Sequence, residues 1–287
     1  MLYLIHQGGK VASQTFEGTI ANADRAAFIE RHHFMYPPNL DALTRIAAGN
    51  DVHAQQQQKQ TALARAALEV MKRERGSIWV VTGFRDPLDH AISRFFQNLD
   101  EFCPSYSSPS PGESYDRDRF DVEVDRVIGI FNEQVDGFLR NHEGDASIAA
   151  LLERFWSARY AIHMAKWFDF EFKPLHGLDI YDVDVGSNAF VTTSHDGSNF
   201  LFYRMEGVHK VLPSILEALP LPRPIPVVSR NVGEEKDYGV LYRRFRQRFA
   251  PTAQMVSYYY DTRFFRHLYP GVKPLYETGT IGMTTSV

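Results

Sequence analysis

Two short apolar runs, Leu2–Ile5 and Ser77–Phe84, each end in a turn that opens a helical pattern. This pairing constrains the chain more than any other feature. Short runs rich in β-branched and aromatic residues read as strands buried on both faces, the habit of a parallel sheet. Strands of that kind alternating with helices predict an α/β fold, a central parallel sheet flanked by helices. In open sheets of this class, ligands bind at the carboxyl ends of the strands, so both turns fall where a site is expected.

The first turn runs His6-Gln7-Gly8-Gly9-Lys10-Val11-Ala12-Ser13-Gln14-Thr15. Glycines at 8 and 9 let the chain leave the sheet sharply, and helical patterning from about Ser13 turns backbone N–H groups toward whatever lies above the helix start. That is an anion site, to which Lys10 adds a charge and Ser13 and Thr15 add hydroxyl donors. The Walker pattern is not met, because Val11 stands where a magnesium-holding hydroxyl would follow the lysine. The same stretch also reads as a glycine turn with a solvated lysine. The second turn begins with Arg85, followed by Asp86 as an N-cap and Pro87 as a first helical residue, with Ser93 two turns on. A guanidinium there can fork onto a phosphate, or simply pair with Asp86 or Asp89.

Gly9 to Thr15 resembles the 5′-phosphosulfate loop of the sulfotransferases that use 3′-phosphoadenosine 5′-phosphosulfate (PAPS), and Arg85 with Ser93 matches their 3′-phosphate motif in identity and spacing. Stretches 166–169, 177–181, 203–208 and 260–269 resemble a bacterial branch of capsular polysaccharide synthesis proteins; Gly207 departs from that branch, which more often has an acidic residue there. The resemblance implies a P-loop-NTPase-like sulfotransferase fold with helical additions. It implies PAPS as donor, 3′-phosphoadenosine 5′-phosphate (PAP) as product and no metal. Gly9, Lys10, Val11, Ala12, Ser13, Gln14, Thr15, Arg85 and Ser93 would then bind the nucleotide. Arg230 resembles the late basic loop that completes the 3′-phosphate site, with Lys236 as its alternative.

Sulfuryl transfer has a loose in-line transition state, so positioned cations matter most. Lys10 is the candidate for the departing bridging oxygen. A histidine is the natural base for an acceptor hydroxyl at neutral pH. His33 stands where the resembling families keep a catalytic histidine; His32 is its rival, because neighbours on a strand face opposite ways. His6 is read as shaping the turn, His90 as lying on the outer face of its helix, and Glu206 as a salt link to Arg204. Arg243, Arg244, Arg246 and Arg248 read as a solvated charged face.

A chain of 287 residues with 44% hydrophobic residues suits one domain over 1–270, with a tail over 271–287. Its net charge of −4 gives no reason to expect nucleic acid, and a lone cysteine suits a reducing compartment. With no apolar run of membrane-spanning length and no leader pattern, the expectation is a cytoplasmic protein. Along the chain the patterns predict a first helix over 12–23, a second strand within 25–35, a long helix over 53–75, and helices over 120–141, 146–167, 237–249 and 251–268. Asp196-Gly197 between two apolar runs predicts a hairpin. Residues 103–119 read as a loop, either a lid or acceptor flap or a surface insertion, and few packing signals follow Pro270. The function expected is sulfuryl transfer from PAPS to a hydroxyl or amine of a saccharide, lipid or small metabolite. The alternatives are an ATP-dependent small-molecule kinase and a non-catalytic nucleotide- or glycan-binding subunit in polysaccharide synthesis.

Overall fold

Alternation along the strands decides the layering. Leu2, Leu4, Ile78, Val80, Phe200 and Phe202 point into one apolar cluster, while Tyr3, Ile5, Val81, Leu201 and Tyr203 point into another. Both faces of the sheet are therefore covered. The computed structural model describes residues 1–9, 11–48, 52–74, 78–103, 117–142, 147–186, 188–222 and 238–278. Its elements begin β1 (Leu2–His6), α1 (Ser13–Ala23), β2 (Phe28–His32), α2 (Pro37–Ile46), α3 (Val52–Arg73), β3 (Ile78–Phe84), α4 (Pro87–Gln97), α5 (Leu99–Phe102) and α6 (Arg117–Asn141). They continue through α7 (Ile148–Arg154), α8 (Met164–Trp167), α9 (Lys173–His176), β4 (Phe190–His195), β5 (Ser198–Arg204), α10 (Val208–Ala218), α11 (Gly239–Arg248), α12 (Ala253–Tyr260) and α13 (Arg263–Leu268).

The protein is α/β, with a five-stranded sheet in the order β2-β1-β3-β5-β4. Strands β2, β1, β3 and β5 run parallel; only β4 is antiparallel, joined to β5 by the expected hairpin. Asp196 at φ 45° and Gly197 at φ 75° form the left-handed two-residue turn that suits the strand twist. Helices α1 and α10 cover one face through Phe16, Ile20, Leu212 and Ile215, and the larger helical layer covers the other. That layer is aromatic: Phe131 of α6 meets Phe95, Tyr160, Phe245 and Phe249 at centroid distances of 5.3–5.6 Å. No described helix is long and apolar enough to cross a membrane.

Three predicted elements differ. The helix expected over 146–167 is broken, because Ser147 caps α7 at the Ala150 N–H and His163 caps a separate helix, α8, at the Ala165 N–H. A 3₁₀ turn over Trp156–Ala161 lies between them, and a π-helical turn over Phe168–Phe172 follows α8. The helix expected over 251–268 divides into α12 and α13, with Thr262 capping α13 at Phe265. Strand β2 stops at His32, short of Met35, because Glu171 takes the Met35 and Tyr36 N–H groups and turns the chain away. In the segment read as a tail, Tyr276 is buried and packs on Phe249.

Candidate functional site

Strand β1 lies between β2 and β3, so the chain leaves it first toward one neighbour and later arrives at the other. A crevice opens at such a switch point beyond the carboxyl ends of the strands. The ends of β1, β2, β3 and β5 deliver the glycine loop, His33, Arg85 and Glu206 to this one edge.

The loop is held by its carbonyls. Thr82 Oγ1 donates to His6 O at 2.7 Å, His33 Nδ1 bonds Gln7 O at 3.0 Å, and His90 Nε2 bonds Gly9 O at 3.0 Å. The Tyr203 hydroxyl donates to Val11 O. A carbonyl only accepts, so each of these histidine nitrogens carries its proton. Gly9 sits at φ 90°, which glycine alone adopts freely, and Ala12 at φ 61° takes the left-handed region at some cost. Ala12 is the N-cap of α1 and offers no side-chain acceptor. The first-turn N–H groups therefore lack the usual hydroxyl or carboxylate cap, which leaves the helix end suited to an external anion. Tyr203 reaches the loop across Gly83, its partner on β3. A Cβ at Gly83 would lie 2.6 Å from Tyr203 Cζ, so the absent side chain makes room for the tyrosine ring.

At the end of β3, Asp86 accepts from the Leu88 and Asp89 N–H groups and caps α4, as its position before Pro87 predicts. Arg85 Nη1 donates to Ser93 Oγ at 3.1 Å, so the two residues paired in the sequence analysis meet. Arg85 also pairs with Asp89, its Nε at 2.7 Å, and Arg246 of α11 reaches the same carboxylate at 3.2 Å. Two guanidiniums thus share one buried aspartate, whose pKa their charges lower against its burial. Burial pushes Asp86 up to about 7 and raises Glu206 as well.

His33, not His32, belongs to the loop. His32 is buried and bonded to Glu30 at 2.9 Å, whereas the His33 ring lies 3.7 Å from the position of a Cβ on Gly9. With its proton on Nδ1, His33 keeps Nε2 as a lone pair. His33 is exposed at the crevice; the protein that does flank its ring lowers its pKa, as do the charges of Arg94 and Arg31, so the neutral form prevails at pH 7. Trp167 Nε1 donates to His33 O at 2.7 Å. Below it runs a buried chain: His176 Nε2 to His6 Nδ1 at 2.9 Å, and His6 Nε2 to Glu171 Oε1 at 3.1 Å. Glu171 also takes the Met35 and Tyr36 N–H groups and Asn39 Nδ2. Burial raises Glu171 to about 7 despite these donors, and lowers His6 and His176 well below the usual histidine value.

Gly9, Ala12, Ser13, Gln14, Thr15, His33, Arg85 and Ser93 follow the carboxyl ends of β1, β2 and β3, and Val11 turns into the core at 0% exposure. Lys10, Arg230 and Lys236, with residues 104–116 of the expected loop, lie outside the described residues. His90 is buried at Gly9, not on an outer face, because α4 packs that side against the loop. Glu206 bonds the Asp86 N–H and the Tyr269 hydroxyl, while Arg204 turns to Leu268 O, so the expected salt link is absent. The arginines of α11 form no free face: Arg246 joins Arg85 on Asp89 in a guanidinium clamp, and Arg244 and Arg248 pair with Asp121 and Asp125 of α6. Comparison with protein-family models, with curated proteins and with solved structures finds no match.

Replacing Gly83 with alanine is expected to displace the Tyr203 ring and destabilise the fold by about 1–3 kcal/mol. Urea denaturation checks this, and a Gly83→Ala protein as stable as wild type would show that the ring is not confined. Glu171 has the pH signature of a raised carboxyl. The folded state holds its proton between the ordinary value near 4.5 and about 7, so its stabilising contribution is full at low pH and is lost as pH rises through 7. The stability gap between wild type and Glu171→Gln is therefore expected to shrink from pH 5 to pH 8 by on the order of 3 kcal/mol. A gap independent of pH would overturn the assignment.

Proposed function

We propose that the chain is a PAPS-dependent sulfotransferase with a P-loop-like sulfotransferase fold, acting on a hydroxyl or amine of a saccharide, lipid or small metabolite. The observation that carries this reading is the Arg85–Ser93 contact at the end of β3, beside an uncapped helix start at the end of β1. Two anion sites at one crevice suit a nucleotide with phosphates at two separate places. The loop N–H groups and α1 would hold the 5′ end, and Arg85 with Ser93 the 3′-phosphate.

In this reading the acceptor oxygen attacks sulfur in line as the bond from sulfur to the bridging oxygen breaks. His33 Nε2 takes the acceptor proton, and its neutral state at pH 7 leaves that lone pair available. The departing oxygen leaves with the nucleotide, and Lys10 is assigned to its developing charge by the motif resemblance. Gln7 O orients His33 through Nδ1, and Trp167 fixes its backbone. Asp89 and Arg246 hold Arg85 in place rather than contacting the nucleotide.

Calorimetric titration with PAP, AMP, and ATP with Mg²⁺ tests the cofactor class. PAP is expected to bind without metal, and Arg85→Ala to weaken PAP at least about tenfold while changing AMP affinity little. Preference for ATP with Mg²⁺ would replace this reading with the kinase, and equal losses for PAP and AMP would remove the clamp. For His33, imidazole NMR signals are expected to show the Nδ1–H neutral form from pH 8 down to pH 6. His33→Ala should lower PAPS turnover by about 10²–10⁴ while PAP affinity is kept. Titration near pH 6.5, or a loss confined to PAP affinity, would exclude it as the base.

A further inference from the structure

One residue beyond Ser93, the guanidinium of Arg94 opens into a narrow recess lined also by Gly8, His90, His163, Met164 and Trp167. The remaining wall is apolar, from Ile148 and Leu152 of α7 and from Phe34 and Ile162. Among the described residues Arg94 has no carboxylate partner and no side-chain hydrogen bond. Its charged neighbour is another cation, Arg159, itself paired with Glu101 at 2.7 Å. The recess histidines bring no negative charge: His90 is bonded to Gly9 O, and His163 is engaged at both nitrogens, by the Ala165 N–H and by Tyr259 O. Desolvation and the Arg159 charge push the Arg94 pKa down to about 10. A half-buried guanidinium beside an apolar wall can fork onto an oxyanion, and no other described cation lines the recess.

We infer that the Arg94 recess binds an oxyanion carried by the acceptor, a carboxylate or sulfate group placed beside the glycine loop. The acceptor source follows from position. The wall formed by α7, α8 and Ile162 belongs to neither phosphate motif, and Gly8, which borders it, precedes the stretch from Gly9 that carries the resemblance. The term acceptor rests on the sulfotransferase reading; the anion site itself does not. The recess is small, so it takes the acidic group while the rest of the acceptor lies outside, toward His33.

The test uses the full chain with sodium sulfate and sodium acetate against sodium chloride at constant ionic strength, read by Trp emission, since Trp167 lines the recess, and by thermal denaturation. Wild type is expected to bind sulfate saturably. Arg94→Met and Arg94→Gln are expected to lose that binding at least about tenfold while keeping PAP affinity within about threefold. Their melting temperature without sulfate should be no lower than wild type, because the substitution removes an unpaired cation. Sulfate binding unchanged in both variants, or no saturable binding by wild type, would overturn the proposal. Sulfate binding that survives saturating PAP and saturating PAPS supports the acceptor side. Binding abolished by PAPS but not by PAP would assign the recess to the donor's sulfuryl group and refute the acceptor assignment. A wild-type protein that ignores PAP but binds sulfate through Arg94 would sink the sulfotransferase reading alone.

Discussion

The site depends on how the carbonyls of one loop are satisfied. Between the end of β1 and the start of α1, the oxygens of His6, Gln7, Gly9 and Val11 each accept from a side chain of a different element: Thr82 on β3, His33 after β2, His90 on α4 and Tyr203 on β5. A buried carbonyl left unpaired would cost about 1–3 kcal/mol, so these donors define the loop path. With its carbonyls tied back, the loop leads into a helix whose N-cap, Ala12, provides no acceptor. The same bonds select the histidine tautomers, so the chemistry offered by His33 follows from the demand of Gln7 O for a proton.

The supports of that loop rest on a second buried system. Glu171 is placed inward by the π-helical turn over Phe168–Phe172, where it gathers His6, Asn39 and two backbone donors just after β2. It thereby ends the strand at His32 and sets His33 free of the sheet. The widened turn is the local departure from helix geometry that such a placement needs. Trp167, one residue before it, closes the arrangement on His33 O.

Charge is handled differently on the two sides of α4. Arg85 and Arg246 converge on Asp89, so the clamp is held together by ion pairs that are shielded from water. Arg94, on the same helix, faces a recess where no described group balances it. Asp89 and Arg94 of α4 thus stand in opposite situations: the carboxylate is shared by two guanidiniums, and the guanidinium has no described carboxylate.

The sequence by itself determined the parallel sheet, the hairpin at Asp196-Gly197, the Asp86 cap with Pro87 and the meeting of Arg85 with Ser93, because each rests on a local rule of periodicity, turn conformation or short spacing. It also carried both histidines, though choosing His33 over His32 took knowledge of where β2 ends. Only the tertiary structure decided that end, the break-up of the helix expected over 146–167, the burial of His90 and the use of Arg246 in the clamp. The strand end, the burial of His90 and the place of Arg246 hang on partners more than 80 residues apart, Glu171 with Met35, His90 with Gly9 and Arg246 with Asp89. Local patterns register which face of an element is apolar; they hold no record of which distant donor meets which carbonyl, and that pairing is what builds this site.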